Sequence, residues 1–174
     1  MKKIKYELML TCLFLYIMTI IGCGDDRPSD MPPLQPVVLT FIQDGVPLSD
    51  AIVTLYSTDP NFKWSVGGGT EETGQVVLMT NGRYTGAPEG KYKITVDKVV
   101  RNGPPVPKES ELPEDEEQRQ KIFNDIDKQT SITRIIDKKF LEEKSTPLEF
   151  DVVKGKNTQT FDLGKSVNQV LPKD

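Results

Sequence analysis

Short β-rich segments recur in this sequence between residues 37 and 163, and turn-forming residues separate them. Segment 91–99 shows the pattern most clearly, because Tyr92, Ile94 and Val96 alternate with polar residues, as in a strand with one buried face. Comparable segments cover residues 37–43, 51–56, 75–80, 148–153 and 158–163. Short strands with Gly, Asn and Asp turns predict an all-β fold, namely an immunoglobulin-like antiparallel β-sandwich of about seven strands.

A turn signal follows the first of these segments. Asp44-Gly45 is a strong turn dipeptide, and we expect segment 37–43 to pair antiparallel with segment 51–56 across a longish turn. Farther along, Gly67-Gly68-Gly69 predicts a flexible connection between strands. A phosphate loop is disfavoured there because no Lys-Ser or Lys-Thr pair follows.

The clearest hairpin signal lies near the end of the chain. Segment 148–153 alternates apolar and polar residues, residues 154–157 supply a turn with Gly and Asn, and segment 158–163 then places Phe161 and Leu163 on one face. We therefore predict that these two segments pair with each other as a hairpin.

Residues 101–134 interrupt the strand pattern. Their first part is rich in Pro and charge and predicts an exposed linker that leaves the sheet. Residues 114–127 are compatible with a helix, because Pro113 precedes them and acids fill the first turn. A narrow apolar stripe predicts one short helix lying on the sandwich, and partial disorder is the alternative.

The N-terminal region has the composition of a secretion signal. Three lysines precede residues 8–21, an apolar span of roughly 14 residues that suits a signal-peptide core and is shorter than the ~20 residues of a spanning helix. Ile20-Ile21-Gly22-Cys23 resembles the lipobox of bacterial lipoproteins. This resemblance implies that residues 1–22 are a signal peptide and that Cys23 is acylated. A plain secretory signal or an uncleaved anchor is the alternative.

Residues 23–36 are polar and carry Pro, Ser and Asp, which predicts a flexible tether. In lipoprotein sorting an Asp directly after the acylated cysteine favours retention in the inner membrane, and Gly24 takes that place here. The resemblance therefore implies a cell-envelope protein that membrane lipid holds through Cys23. It favours the outer membrane, with the domain facing the periplasm or the cell surface.

The composition excludes several kinds of chemistry. The chain has 26 acidic and 22 basic residues, so it has no electrostatic footprint for nucleic acid. It contains no histidine, which excludes histidine bases and histidine metal ligands. The lipobox resemblance implies that Cys12 leaves with the signal and that Cys23 carries lipid, so we expect no intrachain disulfide. We predict no enzyme, no catalytic residue, no metal site and no cofactor.

Three aromatic residues are candidate ligand contacts. Trp64 is the sole tryptophan and lies near Phe62 and Tyr56, in or beside a loop. Aromatic platforms of this kind stack on sugar rings. The alternative is that Trp64 begins the next strand and packs over the core. A weaker hypothesis, a carboxylate-dependent hydrolase, depends on Glu71 and Glu72.

Several segments resemble the carboxypeptidase-regulatory-like and transthyretin-like domains of Planctomycetes-like bacterial lipoproteins. Residues 44–55 resemble the DGxPLxxAxVxL opening, residues 73–76 stand where DGxF is usual, and residues 86–96 resemble GAPPGKYKVTV. Residues 135–140 resemble the IPxKY segment that precedes the last hairpin. The resemblance implies a seven-stranded transthyretin-like sandwich and no activity.

The predicted organisation is therefore a sandwich over residues 37–165, with residues 101–134 as its insertion and residues 166–174 as a C-terminal tail. The functional hypothesis is a membrane-anchored, non-enzymatic binding or assembly module of the cell envelope with an envelope protein or a glycan as partner. A carbohydrate-binding accessory lipoprotein is the alternative.

Overall fold

The computed structural model describes residues 27–172. The chain divides into two compact units, of which the larger is Pro32–Asp174. Within its described part this unit consists mostly of β-strands and contains a single α-helix, which confirms the predicted all-β sandwich. In chain order its elements are β1 (Leu34–Gln35), β2 (Val37–Gln43), β3 (Val46–Pro47), β4 (Ile52–Ser57), β5 (Val66–Gly69), β6 (Gln75–Val77), β7 (Met79–Thr80), β8 (Tyr84–Thr85), β9 (Ala87–Pro88), β10 (Gly90–Asp97), β11 (Val99–Asn102), α1 (Glu116–Gln129), β12 (Ser131–Arg134), β13 (Glu149–Val152), β14 (Asn157–Asp162) and β15 (Gln169–Val170).

One layer of the sandwich is a six-stranded antiparallel sheet with the order β13-β10-β4-β5-β7-β8. Its strand β10 buries Tyr92, Ile94 and Val96 almost completely. Lys91 lies on the opposite face and is exposed. The observed burial of these apolar residues confirms the alternation predicted for segment 91–99, since successive side chains of a strand point to opposite faces.

The other layer is formed by β14, β2 and β3, with β6 pairing on β2. Strands β14 and β2 run parallel, whereas the remaining pairs of this layer are antiparallel. Phe41 of β2 stacks on Phe161 of β14 with ring centroids 5.4 Å apart. Phe150 of β13 meets Phe161 edge to face at 6.5 Å, so an aromatic cluster joins the two layers.

Both of the strand pairings predicted from turn signals are wrong. Segments 148–153 and 158–163 do not form a hairpin, because β13 pairs with β10 and β14 pairs with β2 in the opposite layer. Likewise β2 and β4 lie in different sheets, and Asp44-Gly45 joins β2 to the short strand β3 instead. Alternation specifies which face of a strand is buried, and it does not specify the neighbouring strand.

The chain changes layers between β13 and β14, and Asn157 holds this crossing. Its buried side-chain amide donates to the carbonyls of Val153 and Gly155, both at 2.8 Å. Its Oδ1 accepts the Val153 N–H at 2.9 Å. The turn residues 154–157 therefore connect two layers, whereas the sequence pattern predicted that they close a hairpin.

The three consecutive glycines form a strand and not the predicted connection. They make up most of β5, which lies between β4 and β7. A Cβ on Gly67 would lie 2.5 Å from the Val53 carbonyl oxygen, and one on Gly68 would lie 2.7 Å from Cγ2 of Val76. Glycine therefore permits a close approach here that no other residue allows.

The predicted insertion contains both strand and helix. Strands β11 and β12, at its two ends, pair antiparallel and form a third sheet with β15. The helix α1 begins after its N-cap Asp115, whose side chain accepts the Gln118 N–H at 2.9 Å. Arg134 of β12 donates two hydrogen bonds to Asp97 of β10 at 2.9 and 3.2 Å, and this contact raises the pKa of Arg134.

Two further strands lie outside the segment 37–165 predicted as the sandwich. Strand β1 lies within the predicted tether and pairs with β9, and β15 lies within the predicted tail and pairs with β12. Among the described residues there is no helix long and apolar enough to cross a membrane.

Candidate functional site

An open groove of about 370 Å³ lies beside the end of β4 and the start of β5. It is lined by the three aromatic residues that the sequence singled out, Tyr56, Phe62 and Trp64. The structure thus brings together one strand residue and two loop residues at one concave surface. Ligand sites are concave surfaces of this kind, in which aromatic side chains are combined with a few polar groups.

Tyr56 reaches the groove because of its place in β4. Val53 and Leu55 of this strand are buried, so alternation directs Tyr56 to the outer face, where it is 40% exposed. Its cross-strand neighbour on β10 is Lys93, which forms an ion pair with Glu149 of β13 at 2.8 Å. Lys93 lowers the pKa of Glu149, by hydrogen bonding first and by charge second.

The loop after β4 is held by local hydrogen bonds. Oδ1 of Asp59 accepts the Asn61 N–H at 2.9 Å, and its backbone carbonyl accepts the Phe62 N–H at 3.0 Å. At the other end of the loop, Ser65 and Asn81 bond to each other through two hydrogen bonds that involve backbone N–H groups. The bond from the Asn61 N–H to Asp59 Oδ1 is an Asx turn, and together with the Ser65–Asn81 pair it fixes the path of the loop.

Phe62 anchors the loop to the core. Its half-buried ring packs edge to face against Tyr92, with centroids 5.6 Å apart and an angle of 86° between the rings. The Tyr92 hydroxyl in turn donates to the Pro88 carbonyl at 2.9 Å. Burial raises the pKa of Tyr92, so its hydroxyl stays neutral. Phe62 thus forms the floor of the groove and positions its neighbours.

Trp64 lies in the loop before β5 and is half-buried. Within the described residues, the core and the half-buried side chains packed on it include Phe62 but not Trp64. Lys63 places its Nζ 5.1 Å from the centroid of the indole ring, within the range of a cation–π contact. The position of Trp64 therefore differs from the alternative in which it begins a strand and packs over the core.

Glu143 also lines the groove, and sequence reasoning did not identify it. It comes from the segment before β13, which is distant from Trp64 in sequence. Thr146 donates its hydroxyl to the Ile94 carbonyl at 2.6 Å, and the Ile94 N–H donates to the Leu148 carbonyl at 3.0 Å. These bonds hold the segment against β10. No local pattern in the sequence marks Glu143 for this role.

The groove combines apolar ring faces with neutral hydroxyl groups, one acidic side chain and one basic side chain. Tyr56 and Trp64 offer flat apolar surfaces, Glu143 offers acceptors, and the hydroxyls of Thr54 and Ser57 both donate and accept. Lys63 adds a positive charge at the same surface. Such a set can pack against the C–H faces of a sugar ring while hydrogen-bonding its hydroxyl groups.

The two carboxylates of the hydrolase hypothesis lie elsewhere. Glu71 and Glu72 are exposed in the turn before β6, and neither lines the groove. The backbone of this turn is closed by the Gly74 N–H, which donates to the Glu71 carbonyl at 2.8 Å. Across residues 27–172, no group of three or more Cys, Asp or Glu side chains is arranged to hold a metal ion. Cys23 lies outside the described residues.

No protein-family model, no curated protein and no solved structure significantly matches this chain. The transthyretin-like resemblance therefore stays a prediction from the sequence, whereas the all-β sandwich is an observation.

Proposed function

We propose that this chain is a non-enzymatic binding module of the bacterial cell envelope, held by lipid at Cys23, and that its ligand is a saccharide. The observation that carries the saccharide proposal is the convergence of Tyr56, Phe62 and Trp64 on one groove. The lipobox-like sequence before Cys23 supports the anchor.

The three aromatic residues of the groove are packed differently, and this difference supports a binding surface. Phe62 is packed on Tyr92 and positions the loop, whereas Tyr56 is 40% exposed and Trp64 is not among the described side chains packed on the core. A residue that packs in the core needs no exposed ring, whereas a residue that stacks on a sugar needs one ring face open to solvent. Glu143 and Ser57 add the polar contacts that orient a hydroxyl-rich ligand.

Replacing Trp64 with alanine is expected to weaken saccharide binding by at least about 30-fold, because aromatic residues central to a binding site contribute about 2 kcal/mol or more. A glycan array probed with the full chain identifies the saccharide, and titration calorimetry then measures the affinity. Because Trp64 is the sole tryptophan, its fluorescence in the wild-type chain reports binding directly.

The matched control is Phe123→Ala. Phe123 is an aromatic residue of α1, is 37% exposed and does not line the groove, so its removal is expected to leave saccharide affinity unchanged. A wild-type chain that retains no saccharide, or a Trp64→Ala variant with wild-type affinity and fold, would contradict the proposal.

Replacing Cys23 with alanine is expected to release the protein from the membrane. The thiol that the proposed anchor requires is then absent, and stable anchoring needs acyl chains that contribute about 0.8 kcal/mol for each buried methylene. Fractionation of cells that express each form measures the distribution, and mass spectrometry of the mature N-terminus identifies the modification. Cys12→Ala is the control, since Cys12 precedes the proposed cleavage site. An unmodified Cys23 in the wild-type chain would refute the anchor.

A further inference from the structure

Strand β14 is an edge strand with little protection against pairing. In the part of the chain that the structure describes, it pairs only with β2. Its six residues, Asn-Thr-Gln-Thr-Phe-Asp, include neither Pro nor Lys. Thr158, Gln159, Thr160 and Asp162 are all exposed. Natural proteins usually protect edges of this length with lysine, proline or a bulge, because an open edge templates another strand.

The hydrogen bonds of β14 show which backbone groups face outward. The Asn157 N–H donates to the Pro36 carbonyl at 3.0 Å, and the Leu163 N–H donates to the Ile42 carbonyl at 2.9 Å. In a parallel ladder alternate residues direct both backbone groups to the same neighbour. Thr158, Thr160 and Asp162 therefore direct their N–H and C=O groups away from β2.

We infer that β14 pairs antiparallel with β14 of a second copy of this chain, about a twofold axis at Thr160. In this register Thr160 faces its own symmetry mate and Thr158 faces Asp162. All of these residues direct their backbone groups outward. The twofold axis gives three such pairs, each of which exchanges two hydrogen bonds, so about six bonds join the copies. The interface is isologous and closes as a dimer.

The side chains of β14 suit this register. Lys156, Thr158 and Thr160 are alternate residues, so their side chains lie on one face, and all three line the same surface trough. In the dimer Asp162 lies diagonally across from Lys156 of the second copy, at about 7–8 Å, within reach of a long side chain. The twofold axis repeats this attraction between opposite charges. Threonine pairs, such as the one at the axis, also stabilise antiparallel strands.

Strand β13, at one edge of the six-stranded sheet, is less suited to self-pairing than β14. Strand β13 carries the exposed acids Glu149 and Asp151. Antiparallel self-pairing centred on Phe150 would place Glu149 opposite Asp151, and pairing centred on Asp151 would place this acid opposite itself. Like charges directly opposite each other destabilise a strand pair, so β13 disfavours the self-association that β14 permits.

The first test is sedimentation equilibrium of the full chain in a density-matched detergent. The wild-type chain is expected to be a dimer. Thr160→Lys is expected to raise the dissociation constant of the dimer by at least about fivefold, because two ammonium groups then meet at the axis. Gln75→Lys is the matched control, since Gln75 is exposed on the same trough but belongs to β6. Its dissociation constant is expected to stay at the wild-type value.

The second test uses cross-linking. Thr160→Cys is expected to form a covalent dimer under mild oxidation, because the Cα atoms of a hydrogen-bonded antiparallel pair lie about 5.5 Å apart, within disulfide range. Gln75→Cys measures the background from random collision, and the wild-type chain shows whether any native thiol contributes to it. A monomeric wild-type chain, an unchanged dissociation constant for Thr160→Lys, or equal cross-linking of Thr160→Cys and Gln75→Cys would overturn the inference.

Discussion

Replacing Gly74 with alanine is expected to lower the free energy of unfolding by at least about 3 kcal/mol, because backbone strain and overlap act together at this position. Gly74 has a φ of 73°, a conformation that side chains rarely adopt. A Cβ there would overlap the Phe41 carbonyl oxygen and lie 3.0 Å from the Leu48 nitrogen. Both contacts are backbone atoms, so no side-chain rotation relieves them.

The overlap would also disturb strand β2, which contributes Val37, Leu39 and Phe41 to the core. The Phe41 N–H donates to the Gly74 carbonyl at 2.8 Å, and Phe41 is fully buried against Phe161. A movement of the Gly74 backbone is therefore transmitted to β2. Chemical denaturation of the purified variant measures the loss of stability.

The Gly45→Ala variant separates the effect of backbone strain from the effect of steric overlap with neighbouring backbone atoms. Gly45 has a φ of 78°, close to that of Gly74, but no atom lies within 4 Å of the position of its Cβ. Its replacement is expected to cost about 1 kcal/mol, the penalty of the left-handed conformation alone. Equal losses at Gly45 and Gly74 would show that the close packing of β2 against this turn does not contribute.

Replacing Phe161 with alanine is expected to cost about 3–5 kcal/mol, the range for removing a buried aromatic side chain. Phe161 is 7% exposed and contacts aromatic rings of both layers, Phe41 at 5.4 Å and Phe150 at 6.5 Å. Its removal leaves a cavity between the layers that neither strand can close without leaving its ladder. Thermal and urea denaturation measure the change.

Phe123→Ala is the control for this prediction too. Phe123 lies on α1, a helix with no buried residue, and its replacement is expected to change stability by less than about 0.5 kcal/mol. A small loss for Phe161→Ala, comparable to that of the control, would mean that the aromatic cluster does not hold the two layers together.

Most of the predicted strand segments and their buried faces are confirmed, because both depend on local pattern. Segment 75–80 is an exception: it was predicted as one strand but forms two, β6 and β7, in different layers. Tyr92, Ile94 and Val96 are buried as their alternation indicates, and Asp44-Gly45 forms a two-residue turn in which both φ angles are positive. The helix α1 was predicted over residues 114–127 from its acidic first turn, and it is observed two residues farther along the chain, at Glu116–Gln129.

The candidate groove could be predicted only in part. Tyr56, Phe62 and Trp64 are close in sequence, so a short loop after a strand keeps them near each other. Glu143 could not be associated with them, because its place depends on the pairing of segment 146–148 with β10. Such contacts join residues that no local pattern connects.

The sequence by itself determined the all-β class, the inward and outward faces of the longer strands and the tight turn at Asp44-Gly45, since these follow from side-chain alternation and from backbone conformations that glycine favours. Only the tertiary structure decided which strands are neighbours. Strands β13 and β14 are adjacent in sequence but lie in opposite layers, because the aromatic rings of Phe150 and Phe161 fill one core from two sides. Alternation selects a face for each strand, and packing between distant segments selects its partner.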